Sequence, residues 1–177
     1  MIIKILISIV VFFVYSFSFA ECDFKSSNYH DDLINPAKIE SIFVEIIKNR
    51  KWMKNSIKII TDTSNYILKK YKKRLNANVK INYKFGKCNF NAKIRQSGDW
   101  KDHIKLNNKG QINSSIDVKL LEGNILNAVR FKLLLPETRN NENEIIGAYI
   151  LKKLGFISPE TFFVNVKINM NDKTLYL

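Results

Sequence analysis

The densest group of chemically versatile side chains is Gly98-Asp99-Trp100-Lys101-Asp102-His103. Two carboxylates and an imidazole this close could share a proton or hold a metal ion. Such a run is more often a solvated loop tip with Trp100 folded back on the core, and that is the expectation. His30, within Asn28-Tyr29-His30-Asp31-Asp32, makes a weaker group of the same kind. The chain carries no phosphate-cradling glycine-rich loop, no HExxH, no nucleophile elbow and no metal-spaced Cys/His cluster. No catalytic residue and no metal site is therefore assigned.

Charge is the second chemical signal. The 177 residues carry a formal net charge of +13, a balance that suits polyanionic partners. Heavy use of Lys, Asn and Ile with little Gly, Pro and Ala also follows from an AT-rich genome. Codon bias does not require clustering, however. Between Lys48 and Arg74 there are ten basic residues against one acid, Asp62. Lys69, Lys70, Lys72, Lys73 and Arg74 form the expected basic patch, facing acidic sugars, phosphates or an anionic membrane across snorkelling lysines. The alternative is a solvated helix face.

The first twenty residues read as an export signal cleaved after Ala20. Lys4 opens the run, Ile5 to Tyr15 is apolar, and Ser18-Phe19-Ala20 fits the cleavage site. An uncleaved anchor is the alternative. Export places the mature chain in the periplasm or outside the cell, where Cys22 and Cys88 would form a disulfide.

The elements that must position these residues follow from periodicity. Asn35-Pro36 starts a helix with the stripe Ile39, Ile42, Phe43, Ile46 and Ile47; strand remains an alternative for Ser41 to Ile47. Lys48-Asn49-Arg50-Lys51 breaks that pattern. A connector from Trp52 leads to a second helix from about Thr63, with Tyr66, Leu68, Tyr71 and Leu75 on its apolar face. Val79 to Phe85 and Phe90 to Ile94 alternate as a hairpin turning at Gly86. Ser115 to Leu120 is a third strand, after a loop from Asp102 to Gly110. Val129 to Leu135 is a fourth. Asn141 and Glu144 fit a capping box for a helix that places Ile146, Tyr149 and Ile150 on the sheet. Gly155 ends this helix, Pro159 blocks its continuation, and Thr161 to Ile168 is a strand. Asn171 to Lys173 reads as a turn, with Thr174 to Leu177 opening a further strand. The expectation is one α+β domain over residues 21–177, incomplete at its C-terminus. It has a helical part at about 35–75 and a mainly antiparallel sheet over about 78–177, with two or three helices.

Several short segments resemble a known family. Arg95-Gln96-Ser97-Gly98 closes a strand, Ser115 to Leu120 and Phe131-Lys132-Leu133-Leu134 follow, and Leu154-Gly155-Phe156, Pro159 and Thr161 to Ile168 complete the order. From about Val79 to Asn169 the chain resembles the N-terminal half of the CotH-like family, the spore coat protein H type. That resemblance implies the N-terminal lobe of an atypical kinase-like fold, with ATP and magnesium as cofactors and serine phosphorylation as the activity of a complete member. Arg95, Lys119 and Arg139 would be its phosphate contacts. The family commonly opens the third strand with a basic residue, where this chain has Ser114-Ser115. The catalytic and metal-binding acids of the family belong to a C-terminal half that finds no counterpart here.

Two functions are thus expected. The first is an exported module binding an anionic envelope component such as polysaccharide, with no cofactor. The alternative is an ATP-dependent protein phosphotransferase whose catalytic half is missing from this chain. Nucleic acid is not an expected partner, because export removes it and no aromatic stacking motif stands out.

Overall fold

A computed structural model describes residues 20–24, 30–108, 110–169 and 171–176. The expected export signal, apart from Ala20, lies outside the described residues. In chain order the elements are β1 (Glu21–Phe24), α1 (His30–Leu33), β2 (Ile39–Ile46), α2 (Asn49–Thr61), β3 (Leu75–Tyr83), β4 (Gly86–Gln96), β5 (Ile104–Leu106), β6 (Ile112–Ser114), β7 (Ile116–Leu120), β8 (Arg130–Leu133), α3 (Asn143–Lys153), β9 (Phe163–Ile168) and β10 (Asn171–Tyr176). The architecture is α+β, with a mostly antiparallel, curled sheet and three helices among the described residues.

The main sheet runs β10-β9-β2-β3-β4-β7-β8, and β1 shares one edge of the long β4 with β7. Among the described strands only β2 and β9 pair in parallel. Strand period drives the layering. Ala77, Val79 and Ile81 of β3, Cys88 to Ile94 at alternate positions of β4, and Ile116, Val118 and Leu120 of β7 point inward. They join Ile42, Val44, Val164 and Val166 in one core, while Lys and Asn occupy the alternate, outward positions. A second cluster of Ile59, Ile67, Ile104 and Ile112 ties α2 to the β5–β6 hairpin.

Several expected elements differ. The stripe from Ile39 to Ile46 is strand β2, because its β-branched residues bury alternate positions between β3 and β9. The helix lies at Asn49–Thr61, so the basic run that was expected to break a helix opens one. It buries Trp52, Ser56 and Ile59, a spacing of four and three. The segment after Asp62 is irregular and not helical, with bends at 62–65, an isolated bridge from Tyr66 to Trp100 and one short 3-10 turn at Lys69–Tyr71. The hairpin turns at Lys84-Phe85, one step before Gly86, which pairs with Tyr83. The expected loop from Asp102 includes β5.

The strand–helix–strand stretch departs in its packing. Asn140 and Asn141 both adopt left-handed backbone, φ 47° and 60°. The N-cap of α3 is Glu142 and makes no side-chain cap bond. Gly155, at φ 81°, does end the helix, and Phe156 N–H reaches Leu151 O at 3.0 Å. Ile146, Tyr149 and Ile150 remain about half exposed and do not pack on the sheet. β9 is paired on both edges, by β2 and β10. Its turn falls at Asn169, φ 52°, whose Oδ1 accepts Ile46 N–H and whose Nδ2 reaches Asn49 Oδ1. This turn precedes the expected one at Asn171.

Candidate anion-binding site

The run from Asp99 to His103 does not converge. Asp99 is exposed and its Oδ1 lies 2.5 Å from Lys72 Nζ, a contact that lowers its pKa. Asp102 also faces solvent. His103 points inward, with Nδ1 3.0 Å from Ser115 Oγ, and burial lowers its pKa. Ser115 Oγ accepts Leu135 N–H, leaving its own proton for the imidazole. The histidine is thus a satisfied core residue. Trp100 is not folded onto the core. It is 54% exposed and lies against Tyr66, ring centroids 4.5 Å apart. Among the described residues no three His, Cys, Asp or Glu side chains gather as metal ligands.

The basic run resolves into two kinds of residue. Three of the five expected patch residues are tied to acids: Lys70 to Asp62, Lys72 to Asp99 and Arg74 to Asp117. Asp62 anchors the connector by accepting Ser64 N–H and Tyr71 O–H. These hydrogen bonds, first that of Ser64, lower its pKa. Lys73 is exposed and has no acidic partner among the described residues. It meets Lys51, Lys54 and Lys58 of α2 across a groove of about 380 Å³, with Lys70 beside them. Trp52 and Tyr71 also line the groove, and Asn55 Nδ2 donates to Tyr71 O to hold helix against connector. No carboxylate lines it. Lys51, Lys54 and Lys58 were absent from the expected patch. Their i, i+3, i+7 spacing puts them on one helical face, a signal readable only once the helix is placed at Asn49–Thr61.

A second concentration of cations lies on the outer sheet face. Asp117 of β7 is 1% exposed and holds three arginines. Arg130 Nε donates to Oδ1 at 2.9 Å and its Nη2 to Oδ2. Arg95 Nε reaches Oδ2 at 2.8 Å, and Arg74 Nη2 reaches Oδ1 at 3.0 Å. Burial alone would raise the carboxyl. The hydrogen bonds from Arg130, Arg95 and Arg74 outweigh it and hold the group far below the usual aspartate range. The sequence pattern marks Asp117 only as a strand residue. An acid at an outward position beside outward Arg95 and Arg130 was the available signal.

The three expected phosphate contacts are not gathered at one point. Arg95 sits on Asp117, and Lys119 lies exposed on the same sheet face. Arg139 lines a separate cleft of about 480 Å³ with Arg130, Lys132, Phe162, Glu144 and Glu160. Within that cleft Arg139 pairs with Glu144 at 3.2 Å and Glu160 with Lys152 at 2.5 Å.

Cys22 and Cys88 stand opposite each other in the β1–β4 register and are joined by a disulfide. It fastens β1 to the edge of β4. No protein-family model matches this chain, and no curated protein matches it significantly.

Proposed function

We propose that this protein is an exported module that binds an anionic polysaccharide of the cell envelope. The observation that carries the reading is the lysine groove between α2 and the Lys70–Leu75 segment, where Lys51, Lys54, Lys58 and Lys73 gather beside an Asp62-paired Lys70 and no carboxylate is among the described lining residues. Lysines held this close repel one another, and a polyanion entering the groove relieves that repulsion while releasing its own counterions. Trp52 is buried beneath the groove, and half-buried Tyr71 gives its wall an apolar edge, with Lys70 Nζ over the ring. The export-signal pattern of the first twenty residues agrees with an envelope ligand. The test is retention on an immobilised polyuronate. The Lys54→Glu/Lys58→Glu double variant is expected to lose it at a salt concentration that retains the wild type. Equal retention of the two would refute the groove.

The second reading, a CotH-like phosphotransferase, is favoured by Arg130, Lys132 and Arg139 lining one cleft that could hold phosphate groups. A magnesium ion there would need oxygen ligands. Glu144 and Glu160 are engaged by Arg139 and Lys152, so the described residues do not fit that ion and no phosphoryl-transfer step is assigned to them. Thermal stabilisation by ATP with magnesium would favour this reading over the first.

A further inference from the structure

Three neighbouring strands place like charges directly side by side. In the register of β4, β7 and β8, Lys93 is opposite Lys119, and Lys119 is opposite Arg130. All three are exposed. The next rung is Arg95, Asp117 and Lys132. Arg74 enters from the β3 side, donating to both Asp117 and Lys93 O. Six cations thus surround one carboxylate. Other acids on or beside this face have partners: Glu122 accepts Asn91 N–H, Glu45 accepts from Asn78 Nδ2, Asp23 pairs with Lys87, and Asp99 holds Lys72.

Directly opposed like charges on a sheet are destabilising, as opposed unlike charges are stabilising. One arginine in bidentate contact satisfies an aspartate. Arg130 already makes that contact, so Arg95 and Arg74 add charge that Asp117 cannot neutralise. What the carboxylate does is fix the guanidinium groups in place, with the edges away from it open to a ligand. Pre-ordered cations lose little side-chain entropy when an anion arrives.

We propose that this outer face of β4, β7 and β8 is a second contact surface for the polysaccharide, resting on the reading of the groove as a polyanion site. Cations on adjacent strands recur at about 4.8 Å, so the row Lys93–Lys119–Arg130 suits an extended chain that carries a carboxylate on each sugar and lies across the strands. Asn76 of β3 continues the face with an amide group that hydrogen-bonds hydroxyls, next to Asn78, whose Nδ2 donates to Glu45. The exposed positions of β4, β7 and β8 on this face hold no aromatic ring for base stacking, which favours sugar over nucleic acid. The segment from Lys70 to Leu75 joins the two surfaces: Lys70 and Lys73 line the groove, and Arg74 reaches the sheet face.

The experiment is calorimetric titration of the full chain with polygalacturonate, comparing wild type, Lys93→Gln/Lys119→Gln and Lys54→Gln/Lys58→Gln at several salt concentrations. The sheet variant is expected to bind roughly tenfold more weakly, with the slope of log Kd against log salt reduced by about one to two, since each lost contact releases about one counterion fewer. Its unliganded melting temperature should equal or exceed that of the wild type, because a repulsive pair is gone. A sheet variant that binds like wild type overturns the second surface and leaves the groove standing. Loss of binding in the sheet variant alone removes the groove and keeps the sheet. A wild type that ignores polygalacturonate removes both. Tighter binding of oligo-dT than of polygalacturonate overturns the polysaccharide assignment.

Discussion

Arg95 stands directly opposite Asp117 across β4 and β7, with its Nε 2.8 Å from a carboxylate oxygen that is almost wholly buried. The pair sets the character of the outer sheet face, since the same carboxylate also holds Arg74 and Arg130. Removing its charge strands three cations. Asp117→Asn is therefore expected to cost about 3 kcal/mol of folding stability, in the range seen when one member of a buried pair is lost. Urea unfolding of the two proteins measures it, and a loss under about 0.5 kcal/mol would contradict the account.

The same carboxylate sets an acid limit. Its folded pKa lies far below the unfolded value of about 3.9. A depressed carboxyl contributes stability that is fully present above the unfolded pKa and is lost as pH falls toward the folded one. The stability of the wild type should therefore decline from about pH 4 downward, and more steeply than that of Asp117→Asn. Parallel curves for the two proteins between pH 5 and 2 would show that Asp117 is not the responsible group.

Gly98 is fixed by both backbone and neighbour. Its φ is 88°, and a Cβ added there would lie 2.0 Å from His103 Cδ2. Gly98→Ala should cost at least about 2 kcal/mol, visible as a lowered unfolding midpoint. The His103 ring resonances should shift with it, because the imidazole must leave Ser115.

The disulfide closes a loop with a sequence separation of 66. Chain-entropy reasoning gives about 4 kcal/mol for a loop of that length. Cys22→Ser/Cys88→Ser should lower the melting temperature by roughly ten degrees or more and expose amides of β1 and the Gly86–Asn89 edge to hydrogen exchange. Binding to the lysine groove should persist, since Cys22 and Cys88 take no part in its lining.

Sheet pattern was the most legible part of the sequence. Val79 to Ile94 and Ile116 to Leu120 alternate cleanly, because one face is buried and the other is wet. Helix positions were less legible. β2 has apolar residues at spacings that also fit a helix, and only its pairing with β3 and β9 decides the matter. α2 begins with no side-chain cap and no acid in its first turn, so nothing local marks its start. That error concealed Lys51, Lys54 and Lys58. The alternation that turns Val118 inward turns Asp117 and Lys119 to the other face, where Lys119 is exposed and the arginines cover Asp117, but which strands are neighbours is a tertiary fact. The rows of opposed charge could not be read before the register was known.

The most direct test of the central claim is the affinity of the purified protein for polygalacturonate as a function of salt. The account predicts saturable binding that weakens steeply and linearly in log Kd against log salt, with the slope reduced by about two or more in Lys54→Glu/Lys58→Glu. Absence of binding at low salt, or an affinity indifferent to salt, would contradict it.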